Sequence, residues 1–377
     1  MKALKIVGLI VLTLVALLTA VLGYAWYRLS NQKDTHNLQE LVDKACNDYI
    51  TEGNAPGLCV GIVKGGKLYI KGYGQTGNSI GGPPTAETIF EIGSITKVFT
   101  TSLAQLAVDQ GEINWTDDIR KFLPENVSLP DSESITLHHL ATHTSGFPRL
   151  PSSWLSENVI TNDCDPYSTL TAQHLHNYLA TTNDRTPPSK ASYEYSNIGM
   201  GLLGHILEWK TGRSYEDLLQ QMICQPLQLT NTSLKVADTS LFATGHNEEG
   251  KQTCHWHFPI IPGAGAIRSN MSDMIRFLQA NMEDSHPLSS SFKKLHQKKE
   301  NATRGAIGYG WHIDDLSPRI FGEKEIIWHN GGTGGFSSYI GFIPGKAGVV
   351  LLANQYNPKL DELALKLLAR ASKVSLK

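Results

Sequence analysis

Ser94 and Lys97, in the run Phe90-Glu91-Ile92-Gly93-Ser94-Ile95-Thr96-Lys97-Val98-Phe99-Thr100, place a hydroxyl and an amine one helical turn apart. Positions i and i+3 share a helix face, so the two groups can touch. The pattern itself predicts the helix, because Phe99, Leu103, Leu106 and Ala107 form an apolar stripe and Gly111 is a natural stop. Ser94 then stands near the positive helix end, where its own N–H lacks an intrahelical partner. An unassisted serine is a poor nucleophile near neutral pH. An adjacent base is the usual remedy, and lysine serves when burial or nearby positive charge lowers its pKa. A serine cap followed by a surface lysine spells the same pattern, so the pair acquires meaning only in company.

Two further stretches supply that company. Tyr193-Glu194-Tyr195-Ser196-Asn197 precedes a helical pattern with Leu202, Leu203, Ile206 and Leu207 inward and Gly212 as its stop, which puts Tyr195 and Asn197 on the loop entering a helix. Taken alone, Asn197 reads as the helix cap and Tyr195 as a half-buried aromatic. Trp328-His329-Asn330-Gly331-Gly332-Thr333-Gly334-Gly335-Phe336 lies just before Ser338–Ile343 and Val349–Ala353, two strand-like runs that Pro344-Gly345-Lys346-Ala347-Gly348 joins as an antiparallel hairpin. Glycines in such a place indicate that something approaches the backbone closely. A phosphate loop is the alternative reading of such a run, and the missing Gly-Lys-Ser/Thr ending and the lack of a helix directly after it argue against that.

Ser94-Ile95-Thr96-Lys97, Tyr195-Ser196-Asn197 and His329-Asn330-Gly331, in this order and at these separations, resemble the serine beta-lactamase and penicillin-binding protein superfamily, most of all its class C branch with D,D-peptidase, D-aminopeptidase and esterase relatives. Similar phrases are Leu140-Ala141-Thr142-His143-Thr144-Ser145-Gly146-Phe147-Pro148, Gly263-Ala264-Gly265-Ala266-Ile267-Arg268-Ser269 and Gly308-Tyr309-Gly310-Trp311, so the likeness runs from about residue 50 to the end. The resemblance implies Ser94 as the acylated nucleophile, Lys97 as its proton partner and Tyr195 as the shared acid and base. It implies that Asn197 orients the substrate amide and Lys97, and that the N–H groups of Ser94 and Gly332 form an oxyanion hole. His329, Asn330 and Gly331 would bind substrate. A cationic Lys97 beside Tyr195 would pull the phenol below its reference pKa of about 10, and which of the two is the resting base stays open at this point.

One departure matters. Lactamases of this branch usually carry Lys-Thr-Gly where this chain has His329-Asn330-Gly331, and that lysine helps bind the carboxylate of beta-lactams and D-Ala peptides. Histidine supplies a full charge only on the acidic side of about pH 6.5, so a contact of His329 with a carboxylate would depend on pH; the alternative is a satisfied core histidine beside Trp328. His-x-Gly is familiar among the family's peptidases and esterases.

Ile6 to Tyr27 form a continuous apolar segment with Lys2 and Lys5 before it and Arg28 after it. At about 1.5 Å per residue it can span a bilayer core of roughly 30 Å. Trp26 and Tyr27 suit an interfacial belt, and the leading lysines argue that the remainder is exported. A cleaved signal peptide ending at Gly23-Tyr24-Ala25 is the alternative, which would leave a soluble periplasmic or secreted enzyme. Residues 1–30 are therefore assigned to an anchor or signal segment and 31–377 to one hydrolase domain.

With 377 residues, 41% hydrophobic and a net charge of −2, the chain can bury a large core, and its near-neutral balance gives no basis for nucleic-acid binding. Cys46, Cys59, Cys164, Cys224 and Cys254 have no Cys-x-x-Cys spacing and are odd in number, so neither a zinc site nor a disulfide framework is implied. Export permits one or two disulfides, with Cys164 and Cys254 as a candidate pair. His255 and His257 beside Cys254 lack clustered acidic or cysteine partners, and no metal or cofactor is expected.

Leu38 to Ile50 reads as a helix, Leu58 to Ile70 as strands turning at Gly65-Gly66, and Pro358 to Ala371 as a closing helix. Helices and loops dominate from Ser94 to about residue 250, and strands return near Trp328. Ser289 to Arg304, rich in Ser and Lys, reads as an exposed surface excursion. The expected fold class is α/β of the α+β type: an antiparallel sheet flanked by helices, from about 38–93 and 255–377, with an all-helical lobe inserted at about 94–254. The expected function is an exported serine hydrolase that forms an acyl-enzyme on amide or ester bonds of beta-lactams or D-Ala peptidoglycan peptides. The alternatives are a carboxylesterase of the same family and, in a different class, a non-catalytic penicillin-binding-like scaffold.

Overall fold

The apolar runs on either side of Pro344-Gly345 are buried along their whole length, and they form the centre of an eight-stranded sheet in a computed structural model that describes residues 37–376 apart from 131–132, 157–158, 182–183 and 304. The strands are β1 (Gly57–Lys64), β2 (Lys67–Gly74), β5 (Glu300–Asn301), β6 (Ala306–Ile307), β7 (His312–Asp314), β8 (Ile326–Gly332), β9 (Ser337–Ile343) and β10 (Ala347–Ala353). Their order is β2-β1-β10-β9-β8-β7-β6-β5, with every pairing antiparallel. Both ends of the chain therefore build one sheet, as expected. A two-stranded ladder of β3 (Ile89–Glu91) with β4 (Arg268–Asn270) lies apart from it.

Helices cover both faces. On one side α1 (Leu38–Thr51) packs with α7 (Lys359–Lys373), whose Leu360, Leu363, Ala364, Leu367, Leu368 and Ala371 form the buried stripe that a helical period predicts. Its acidic first turn and basic last turn complement the helix dipole. On the other side α5 (Met271–Met282) lies on β1 and β10, and Phe277 stacks on Phe99 of α2 (Thr96–Asp109) at 3.9 Å between ring centroids. Helix α2 is buried from Thr96 to Ala107, which makes it the axis of the second core. Its hydroxyls turn back onto carbonyls: Thr100 donates to Gly263 O, Thr101 to Tyr309 O and Ser102 to Val98 O. Short α3 (Leu137–Ala141) and long α4 (Asn197–Thr211) pack against each other, and α4 also packs on α2.

Two sequence expectations need correction. Strands return well before Trp328, but β4 to β7 have only two or three residues each, too few to show a period of two. The stretch from Ser289 is not an excursion: Ser289–Leu295 is helix α6, with Ser289, Ser291, Phe292 and Leu295 buried and packed on α2. Ser291 and Lys294 both bond Asp109, so a polar composition conceals a docked helix.

The apolar run Ile6 to Tyr27 lies outside the described residues. Among the described residues no helix is long and apolar enough to cross a membrane.

Candidate active site

Ser94 sits in a single 3₁₀ turn, Gly93–Ile95, between β3 and α2. Gly93 makes that turn possible, because its φ is +49° and a Cβ there would stand 2.7 Å from the Gly332 nitrogen and 2.8 Å from the Gly332 oxygen. A Cβ on Gly331 would run into the Ile92 carbonyl oxygen. These glycines in β8 let the nucleophile turn press directly on the strand. The Thr333 N–H donates to Phe336 O, which fixes the ladder alternation, and Gly332 then faces Ser337 as a non-hydrogen-bonded pair. Its N–H consequently points off the ladder, away from β9 and available to a ligand oxygen.

Lys97 is fully buried, with Nζ 3.0 Å from Ser94 Oγ and donating to Ala264 O at 2.6 Å. Burial pushes its pKa well below the ordinary 10.5, and the nearby Arg149 charge pushes it further. Both effects favour the neutral amine, whose lone pair can accept the serine proton. Tyr195 stands beside it, its ring centroid 4.8 Å from Lys97 Nζ. Burial raises the Tyr195 pKa, while a hydrogen bond from Ser94 and the Arg149 charge act in the opposite direction. Of the two resting bases left open by the sequence, burial therefore favours the lysine: it disfavours the lysinium and the phenolate alike.

The loop carrying Tyr195 is held from below by His143. The Ser196 N–H donates to His143 Nδ1 at 3.1 Å, and the Glu194 N–H donates to the His143 carbonyl at 2.8 Å. His143 adopts φ +59° to do both. Ser196, not Asn197, is the cap of α4: its hydroxyl accepts from the Gly199 N–H. Asn197 is buried and donates through Nδ2 to the Tyr167 hydroxyl at 3.0 Å, whereas the bonds of Lys97 go to Ser94 and Ala264. The expected contact between Asn197 and Lys97 is absent. Asn197 Oδ1 is left buried without a partner, free to accept from a substrate N–H.

His329 differs most from expectation. It is completely buried, its Nδ1 lies 2.6 Å from Asn330 O, and its ring packs 5.0 Å from His312 and 6.3 Å from Tyr195. Burial, followed by His312 and Lys97, holds its pKa well below 6.5. A switchable cation at this position is therefore ruled out by desolvation, and the ring does not line the cleft. Asn330 does line the cleft, with Nδ2 donating to Asp361 Oδ2 at 2.7 Å.

The cleft divides into two branches that meet at Ser94, Arg149, Gly332 and Tyr356. The polar branch, about 270 Å³, runs past His312 and Asn330 to Asn357 and Asp361. The other, about 210 Å³, is walled by Tyr167, Trp256 and Phe258, with Asn197 at its side. A Cys164–Cys254 disulfide brings these aromatic residues together, and Asp165 reinforces it by accepting from the His257 N–H and bonding the His257 ring. Tyr167 stacks on Phe258 at 4.4 Å. Sequence reasoning missed His143, Arg149, His312, Tyr167 and Asp361. Three of them stood within reach, since His143 lies inside a family-like phrase, Arg149 directly after it, and His312 directly after Gly308–Trp311.

A cleft-lining serine and tyrosine around a buried lysine at a helix N-terminus, faced by a glycine-rich strand, define a serine hydrolase of the acyl-transfer kind. The beta-lactamase family model matches residues 35–373, and the chain belongs to that family. It is 26% identical over 359 residues to a beta-lactamase of Pseudomonas fluorescens, covering 87% of this chain and 96% of the relative. It is equally 26% identical, over 325 residues, to the D-alanyl-D-alanine-carboxypeptidase/endopeptidase AmpH of Escherichia coli K12, covering 81% of each. The crystal structure of a beta-lactamase/D-alanine carboxypeptidase from Pseudomonas syringae matches with a TM-score of 0.75 at 25% identity, covering 89% of this chain and 98% of that one.

Two outcomes follow from this geometry. Gly331→Ala forces β8 off the Ser94 turn, and a displacement of this size should slow reaction of Ser94 with a fluorophosphonate by about a hundredfold; labelling at the wild-type rate would show that the close approach is dispensable. The pH dependence of that reaction reports on Lys97. A depressed pKa keeps the amine neutral on the alkaline side and protonates it only as pH falls through the depressed value, so the acid limb should lie far below 10.5. A limb centred near 10.5 would mean that Lys97 is charged at rest.

Proposed function

We propose that this enzyme is exported and cleaves amide or ester bonds of beta-lactams or D-Ala-terminated peptidoglycan peptides through an acyl-enzyme on Ser94. The observation that carries the reading is the 3.0 Å contact between Ser94 Oγ and a fully buried Lys97 amine. The serine proton passes to Lys97 as Oγ attacks the carbonyl carbon. The oxyanion that forms is held by the Ser94 and Gly332 N–H groups. Tyr195, kept as a phenol by burial, gives its proton to the leaving nitrogen or oxygen and recovers one from the lysinium. Water then attacks the acyl carbonyl, the same two groups carry its proton back to Ser94 Oγ, and the product leaves as an acid. Asn197, with Oδ1 unpartnered, positions the substrate amide. The names of the Pseudomonas and Escherichia coli relatives support this substrate range.

An esterase is the second reading, favoured by the neutral His329 in place of a strand cation. For the compartment, support comes from the Cys164–Cys254 disulfide, which persists in oxidising surroundings. We further read the domain as two lobes dividing near residues 93 and 255.

Incubation with a fluorescent penicillin and with a fluorophosphonate, read by mass spectrometry, should place one adduct on the peptide containing Ser94, and Ser94→Ala should abolish it. An adduct that survives in the alanine variant would move the nucleophile elsewhere. Lys97→Ala and Tyr195→Phe should each slow labelling by orders of magnitude, with a combined loss smaller than the product of the two, because the groups act as a unit. Protease added to spheroplasts should digest the hydrolase domain. Full protection, with the chain recovered in the cytosol, would rule out export.

A further inference from the structure

His329 cannot take the charge of a substrate carboxylate, yet the cleft contains one group that can. Of the basic side chains around the nucleophile, Lys97 is buried and committed to Ser94 and Ala264. His312 is pushed down to about 4 by burial and by Lys97, so it is neutral at physiological pH. Arg149 is exposed, and it lines both branches at their junction with Ser94. Its guanidinium carbon lies 5.4 Å from the Tyr195 ring centroid, a cation–π distance that places the charge next to the reacting atoms. Its backbone is fixed, since its carbonyl accepts from the Asn197 N–H at 3.1 Å. No carboxylate among the described residues is paired with it. The far end of the polar branch has the opposite polarity, because Asp361 stands there and Asn330 donates to it.

We infer that Arg149 is the carboxylate anchor of this enzyme, so that its substrates are acyl donors bearing a carboxylate held at the junction of the two branches rather than on strand β8. A guanidinium presents a planar fork of N–H donors that matches a carboxylate in two parallel hydrogen bonds. Asp361 repels the same group from the other end, which gives the substrate a direction in the cleft. The inference rests on the serine-hydrolase reading of Ser94, and its test separates the two.

The test uses 4-nitrophenyl and alkyl esters matched in length, with either a carboxylate or a methyl group ending the acyl chain in one series and the leaving group in the other. For each pair the ratio of kcat/KM, anionic over neutral, is measured on wild type, Arg149→Gln and Arg149→Lys. Wild type should favour the anionic ester in at least one series, and added salt should reduce that preference. Arg149→Gln should lower the ratio roughly ten- to a hundredfold, chiefly through KM, as expected for loss of a charge-assisted hydrogen bond. Arg149→Lys should recover part of it. A ratio in Arg149→Gln within about twofold of wild type in both series, with Ser94 still acylated by the neutral esters, would overturn the inference and leave the hydrolase reading intact. Absence of acylation of wild-type Ser94 by every ester would overturn the reading and the inference with it.

Discussion

The desolvation of a single amine governs this site. A lysine side chain in water is a cation and cannot accept a proton, whereas burial shifts Lys97 toward the neutral form through the cost of charging it there. Everything around it preserves that state. His143, His312 and His329 crowd the same region, and burial is the largest cause of the lowered pKa of each. Three imidazoles that stay neutral add polarity without adding carboxylates, which would restore the lysine charge. The guanidinium of Arg149 lies outside, where water solvates it and where its field still opposes protonation of Lys97.

A neutral lysine is useful only if the nucleophile and the oxyanion donors are equally well placed, and here the backbone carries the burden. Gly93 and Gly331 allow a turn and a strand to approach within a distance that any side chain would prohibit. The eight-stranded sheet holds the strand, and the Phe99–Phe277 stack holds the helix that follows the turn. Both cores of the molecule therefore converge on a contact between two peptide segments.

Periodic and local features were legible in the sequence. The hairpin around Pro344-Gly345, the helix after Ser94 and the glycine signal of close approach all follow from patterns within a few residues, and the structure contains each. What could not be read depends on which segments meet. Tyr167 takes the Asn197 amide because a disulfide spanning 90 residues delivers it to the cleft wall. Which of Lys97 and Tyr195 is the resting base could not be read, because burial, which lowers the pKa of the amine and raises that of the phenol, is a property of the fold. Helix α6 was hidden by serines and lysines that satisfy Asp109 instead of water.

The substitution of histidine for lysine on β8 then has a structural meaning beyond a lost charge. A second lysine on this strand would lie close to Lys97 and Tyr195, and its field would favour the phenolate over the phenol. His329 removes that field: Nδ1–H donates to the Asn330 carbonyl, and the ring remains neutral because protonation would bury a charge. Tyr195 accordingly stays a proton donor, suited to a leaving group that must be protonated as it departs. On the proposed reading His329 tunes the acid and does not bind a carboxylate, while Asn330 and Gly331 of the same strand still line the cleft. The charged side chains that line the cleft are Arg149 at the junction and Asp361 in the polar branch, and the inferred direction of the substrate follows from these two, neither of which lies on β8.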